Sequence, residues 1–209
     1  MNINNDYLYL NTLENLHANL KKSYEVFLNS EINVDKQEYS TLLLNRMKQY
    51  YRSQYYNKEL LEKRYITNGA DFFTEQLLFF LKIYISKSNS DLQAISEKQI
   101  VAKRGSIRPD ISIWKNNEVI AIIECKTQLG WNRHKWESDF IERQKKLNKE
   151  FKKAKAFLVV LTGENWGGFE ENELLGEKYF CLLKDKWITE FQDEKDIFIP
   201  IEKLLEKIK

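Results

Sequence analysis

Three charged side chains stand at the ends of two short apolar runs. In RPDISIWKNNEVIAIIECKTQ, residues 108–128, Asp110 follows a proline, while Glu124 and Lys126 close a run that is otherwise Val, Ile and Ala. Two carboxylates close together repel unless a proton or a cation lies between them. A hard divalent ion such as magnesium favours that oxygen-rich surround and keeps water in its remaining positions. A lysine beside it can hold or help deprotonate an attacking water and offset charge on a phosphate. The ion itself polarises the phosphoryl oxygen and lowers the pKa of bound water.

For these groups to meet, the chain around them must be a hairpin. KNNE, Lys115 to Glu118, reads as a short polar turn that makes residues 110–114 and 119–126 antiparallel neighbours. Side chains alternate along a strand, so Glu124 and Lys126 share one side, Cys125 faces the other, and Ile111 and Ile113 point away from the side used by Asp110. The start of one hairpin strand lies beside the end of its partner, which brings Asp110 to Glu124 and Lys126. Cys125 then acts as a small apolar packer whose main-chain carbonyl is a further candidate metal ligand.

Around this hairpin the pattern alternates between helix and strand. Residues 11–66 are tyrosine-rich and lack Gly and Pro, with apolar positions such as Leu43, Met47, Tyr50, Leu60 and Tyr65 compatible with helix. Asn68 and Gly69 separate this region from ADFFTEQLLFFLKIYISKS, a helix for which Asp71 is the expected cap. Strands are expected over 94–103, 107–114, 119–126, 156–162 and 179–184. A lysine-rich crossover helix lies between the third and fourth, with Trp136, Phe140, Ile141, Leu147 and Phe151 on one face. PIEKLLEKI forms a short final helix. The expected domains are a helical extension, 1–67, as a possible dimerisation region, and a core with its C-terminal helix, 68–209.

With Pro109 and Asp110 followed by Glu124, Cys125 and Lys126, the chain resembles the PD-(D/E)XK nuclease superfamily, and most closely a type II restriction endonuclease. The resemblance covers about residues 68–185. It implies an α/β fold with a restriction-endonuclease-like αβββαβ core, a central mixed sheet and, here, an N-terminal helical extension. It further implies that Asp110 and Glu124 bind Mg2+ and that Lys126 assists the nucleophile. A glutamate from the first core helix often joins such sites; Glu75 matches it in position, with Glu97 as a weaker alternative. The exonuclease branch carries Q-x-x-x-Y in the crossover helix, whereas here Gln144 is followed four residues later by Asn148. Double-stranded DNA is the implied partner, a homodimer the implied assembly, and a cognate DNA methyltransferase encoded nearby the implied companion.

Contacts to DNA are expected from Gln128, Asn132, Arg133, His134 and Lys135, in the loop after Lys126, and from Arg143 and Lys146 in the basic helix. The competing readings are a repair or mobile-element nuclease that recognises DNA structure, and a non-catalytic DNA-binding or structural module. In a purely structural version Asp110 caps a turn and Glu124 pairs with Lys126 or Lys103. A net charge of +2 does not by itself argue for nucleic acid. Two cysteines without C-x-x-C spacing exclude a disulfide framework and a structural zinc site of that type, and no apolar run approaches membrane-spanning length. A soluble, cytoplasmic protein is expected.

Overall fold

The computed structural model describes residues 6–88, 90–129, 135–164 and 172–208. The chain divides into two units, Met1–Ile32 and Asn33–Lys209. The described part of the first unit carries the helix α1 (Tyr7–Asn29), whose apolar residues Tyr9, Leu13, Leu16, Leu20, Tyr24 and Phe27 recur at helical spacing.

The second unit runs through α2 (Glu38–Leu60), α3 (Ala70–Lys87), β1 (Leu92–Ser96), β2 (Ile111–Lys115), β3 (Glu118–Lys126), α4 (Trp136–Glu150), β4 (Lys155–Thr162), β5 (Tyr179–Leu183) and α5 (Ile201–Ile208). It is a mixed α/β fold whose five-stranded sheet has the order β1-β2-β3-β4-β5. β2 runs antiparallel to both of its neighbours, β1 and β3, and β3, β4 and β5 are parallel. This division follows from the connections. Asn116 and Asn117 have φ of 49° and 66°, the left-handed pair that a two-residue hairpin turn needs, whereas parallel β3 and β4 require a crossover, which α4 supplies. No helix of the described residues is long and apolar enough to cross a membrane.

Several element boundaries differ from the sequence expectation. The first strand stops at Ser96 because Glu97 takes a left-handed φ of 49°, and the Ile100 N–H bonds the Ile107 carbonyl to close a loop. The second begins at Ile111, since Pro109 has no N–H for a ladder. Gly69, not Asp71, is the N-cap residue of α3, and Asn68 Oδ1 accepts the Ala70 N–H at 3.0 Å. Glycine is needed there: a Cβ would stand 2.8 Å from the Tyr50 ring.

Packing also draws the domain boundary earlier than residue 67. α2 buries Tyr39, Leu43, Leu44, Met47 and Tyr51. Arg46 lies 4.1 Å over the Phe79 ring and donates to Gln76 Oε1 at 2.7 Å, fastening α2 to α3. Half of the expected extension is therefore part of the core. The basic run is interrupted too: α4 ends at Glu150, Lys152 and Lys153 lie beyond it, and Lys155 opens β4.

Candidate active site

The site lies where β2 begins and β3 ends. Antiparallel register pairs Ser112 with Ile122 and Ile111 with Ile123, so one step further Asp110 stands opposite Glu124. Asp110 Oδ2 accepts the Cys125 N–H at 2.7 Å. On the parallel side Glu124 pairs in register with Leu158, and Lys126 with Val160. Glu124 and Lys126 thereby share the sheet face covered by α4, which seats itself through Trp136 and Phe140 edge-on to Tyr179 at 4.9 and 5.3 Å. In front of them is a cavity of about 260 Å³ lined by Glu124, Lys126, Trp136, Asp139, Phe140 and Arg143, among others.

Glu124 is buried in this wall, and its electrostatics follow from that. Burial, with the nearby Asp110 charge adding to it, outweighs the opposing pull of Arg143 and Lys126 and pushes its carboxyl up to about 7. Arg143 donates through Nη1 to Glu124 Oε1. The two partners differ in exposure: the Glu124 side chain is 8% exposed and that of Arg143 39%. Cys125 lies on the opposite face, where Thr74 of α3 hydrogen-bonds its thiol and burial pushes the thiol pKa up. That thiol is a packing group, leaving the main-chain carbonyl as the part of Cys125 suited to a hard cation.

Asp110, Glu124 and Lys126 are thus brought together. Glu75 is exposed on α3, the helix that covers the Cys125 face, and among the described residues no hydrogen bond or ion pair links it to the other three. Glu97 is nearer along the backbone, donating its N–H to the Asp110 carbonyl at 3.1 Å, with its side chain exposed. Lys103, one alternative partner for Glu124, pairs with Glu150 instead.

Of the residues expected to touch DNA, Gln128 and Lys135 are exposed beside the site, and Asn132, Arg133 and His134 lie outside the described residues. Lys146 is exposed and pairs with Glu142 at 2.7 Å. Arg143, grouped with these surface lysines by the sequence reading, turns inward to Glu124.

Two contributions escaped that reading, Arg143 as a partner of Glu124 and Asp139 on the cavity wall. A signal existed for the first, since Trp136, Phe140, Arg143 and Leu147 follow one helical stripe, which puts the arginine on the sheet-facing side. Gln144 and Asn148 clamp α4 to the start of β4. Gln144 Oε1 accepts the Ala156 N–H at 2.7 Å, and Asn148 Nδ2 donates to the Ala154 carbonyl at 3.0 Å. Tyr51 of α2 hydrogen-bonds Thr127, the residue after Lys126.

Among the described residues no group of three or more His, Cys, Asp and Glu side chains forms a metal cluster. The donor set at the hairpin end is smaller: two carboxylates and a main-chain carbonyl, all hard oxygens. It suits magnesium, which binds through one or two carboxylates and retains several waters. No family model, curated protein or solved structure matches the chain.

Proposed function

We propose that the protein is a magnesium-dependent endonuclease that hydrolyses phosphodiester bonds in double-stranded DNA, acting as a type II restriction enzyme at a short specific site. The observation that carries this reading is the convergence of Asp110, Glu124 and Lys126 at one hairpin end, beside a cavity. The helix-strand order from α3 to β5 supports a restriction-endonuclease-like αβββαβ core.

In this reading Asp110, Glu124 and the Cys125 carbonyl hold the ion. Magnesium supplies Lewis acidity and a water of lowered pKa. The Cys125 N–H fixes the Asp110 carboxylate to the strand that carries Glu124, so both acids are oriented before any ligand arrives. Lys126, at the exposed end of β3, holds the attacking water and offsets charge on the phosphate. Lys146 meets the DNA backbone, and the segment from Gln128 to Lys135, including Asn132, Arg133 and His134, reads the bases. Two copies of the chain, each with one such centre, would cut both strands of a two-fold symmetric site.

The test is incubation of the purified protein with mixed-sequence duplex DNA, with magnesium or with chelator. Discrete double-strand products that require magnesium, together with a dimer by light scattering, are the expected result. Isolated nicks made by a monomer would favour a structure-selective repair or mobile-element nuclease, and intact DNA under all conditions would favour a non-catalytic module.

A further inference from the structure

We infer that Arg143 is the resident counter-ion of Glu124, a positioning residue that competes with a divalent cation for that carboxylate and leaves it when the site is loaded. The inference rests on the proposed reading of the site as a metal centre.

The argument starts from the asymmetry of the ion pair. Glu124 is fixed in the sheet and almost wholly buried, so its charge cannot escape to water. An anion so placed needs a cation to offset its lost hydration. Arg143 provides one, from a side chain that is more than a third exposed. The cost of parting therefore falls unequally: the guanidinium can return to solvent cheaply, whereas the carboxylate must be given another cation. The contact uses a single nitrogen on a single oxygen, Nη1 on Oε1, rather than the two-pronged arrangement that makes arginine–carboxylate pairs strong.

The cavity provides the guanidinium with somewhere to go. Arg143 and Asp139 both line it and stand four residues apart on α4, the spacing at which helical side chains of opposite charge meet. Asp139 is exposed and thus already hydrated, a suitable second partner for an arginine displaced from Glu124. A divalent cation approaching Glu124 meets Arg143 twice, as an occupant of one oxygen and as a like charge. Removing the guanidinium should relieve both.

The experiment measures Mn2+ binding by electron paramagnetic resonance in the absence of DNA as a function of pH, each protein being compared on its pH-independent plateau, so that a proton held by Glu124 once Arg143 is removed is read apart from competition with the cation. Wild type, Arg143→Ala, Arg143→Lys and Asp110→Asn are compared, with folding checked by circular dichroism. Arg143→Ala should bind Mn2+ about tenfold or more tightly than wild type, the scale of an ordinary charge-pair coupling. Arg143→Lys, which keeps the charge and loses the planar fork, should fall between them, and Asp110→Asn should bind more weakly. A folded Arg143→Ala protein with unchanged or weaker affinity overturns the inference while leaving the metal site in place. Should Arg143→Ala not fold, the lysine variant decides, and affinity no tighter than wild type overturns it. Absence of Mn2+ binding by every protein overturns both the inference and the metal reading. Binding by Arg143→Ala alone supports the inference in its strongest form. A merely structural role for Arg143 would loosen Glu124 and weaken binding, the opposite sign.

Discussion

The Cys125 N–H donates to Asp110 Oδ2 at 2.7 Å, so the first acid of the site is tied to the strand that carries the second. The bond lies just beyond the paired part of β2 and β3, where the ladder would otherwise leave a donor open. One side chain thus ends a strand and contributes a carboxylate to the cluster.

From this bond comes a separation of stability from activity. Asp110→Asn retains an oxygen that can accept the Cys125 N–H and should keep the fold while abolishing magnesium-dependent cleavage. Asp110→Ala loses both functions and should be less stable than the asparagine variant by about 1–2 kcal/mol, the cost of an unpaired buried donor. Urea unfolding and a cleavage assay on the two variants check this. Undiminished cleavage by Asp110→Asn would remove the residue from the site.

Glu124 should make the metal-free protein less stable as pH rises. Its folded carboxyl is pushed from an ordinary 4.5 up to about 7, so the folded state holds the proton more tightly than the unfolded chain. The stabilisation it contributes is present below 4.5 and is lost as pH rises through about 7, on the order of 3 kcal/mol in all. Glu124→Gln should then be inactive yet more stable than wild type at about pH 8, with the difference closing at about pH 4.5. Thermal unfolding in chelator across that range tests the sign; a wild type that gains stability relative to the variant with rising pH would contradict it.

Lys126 stands at the exposed end of β3, its side chain outside the core. Lys126→Ala should leave Mn2+ affinity within a few-fold of wild type and slow the chemical step by about 10²-fold or more, as expected for lost proton-transfer assistance. Single-turnover cleavage at saturating metal separates the two effects.

Far from the site, Ser40 links the N-termini of two helices. Its N–H donates to Glu202 Oε1 at 3.0 Å, its hydroxyl donates to Oε2, and its Oγ accepts the Ile201 N–H at 2.8 Å, all buried. Ser40→Ala removes the last two bonds and strands a carboxylate oxygen and an amide, so it should cost about 2–4 kcal/mol. Denaturant unfolding should reveal that loss, with kcat for cleavage unchanged under conditions where the variant is folded.

The sequence by itself determined the hairpin and its acids. Two consecutive asparagines fix a two-residue turn that pairs Lys115 with Glu118 and Trp114 with Val119, and the period of two puts Glu124 and Lys126 on one side; a bulge between Ile113 and Trp114 then shifts the register by one residue, which sets Asp110 opposite Glu124 rather than Ile123. The turn and the alternation are local, acting within the nineteen positions from 108 to 126, whereas the one-residue bulge that completes the register is seen only in the folded sheet. What covers it was decided in three dimensions. Arg143 reaches Glu124 only because α4 crosses that particular face, and α3, which carries Glu75, lies on the other. Ser40 and Glu202, 162 positions apart, meet because α2 packs within the core rather than extending from it. Hydrophobic periodicity tells a helix which side to bury, but not which partner it buries that side against. Many apolar surfaces satisfy the same stripe, and the choice among them rests on crossover geometry and on the pairing of a few buried polar groups.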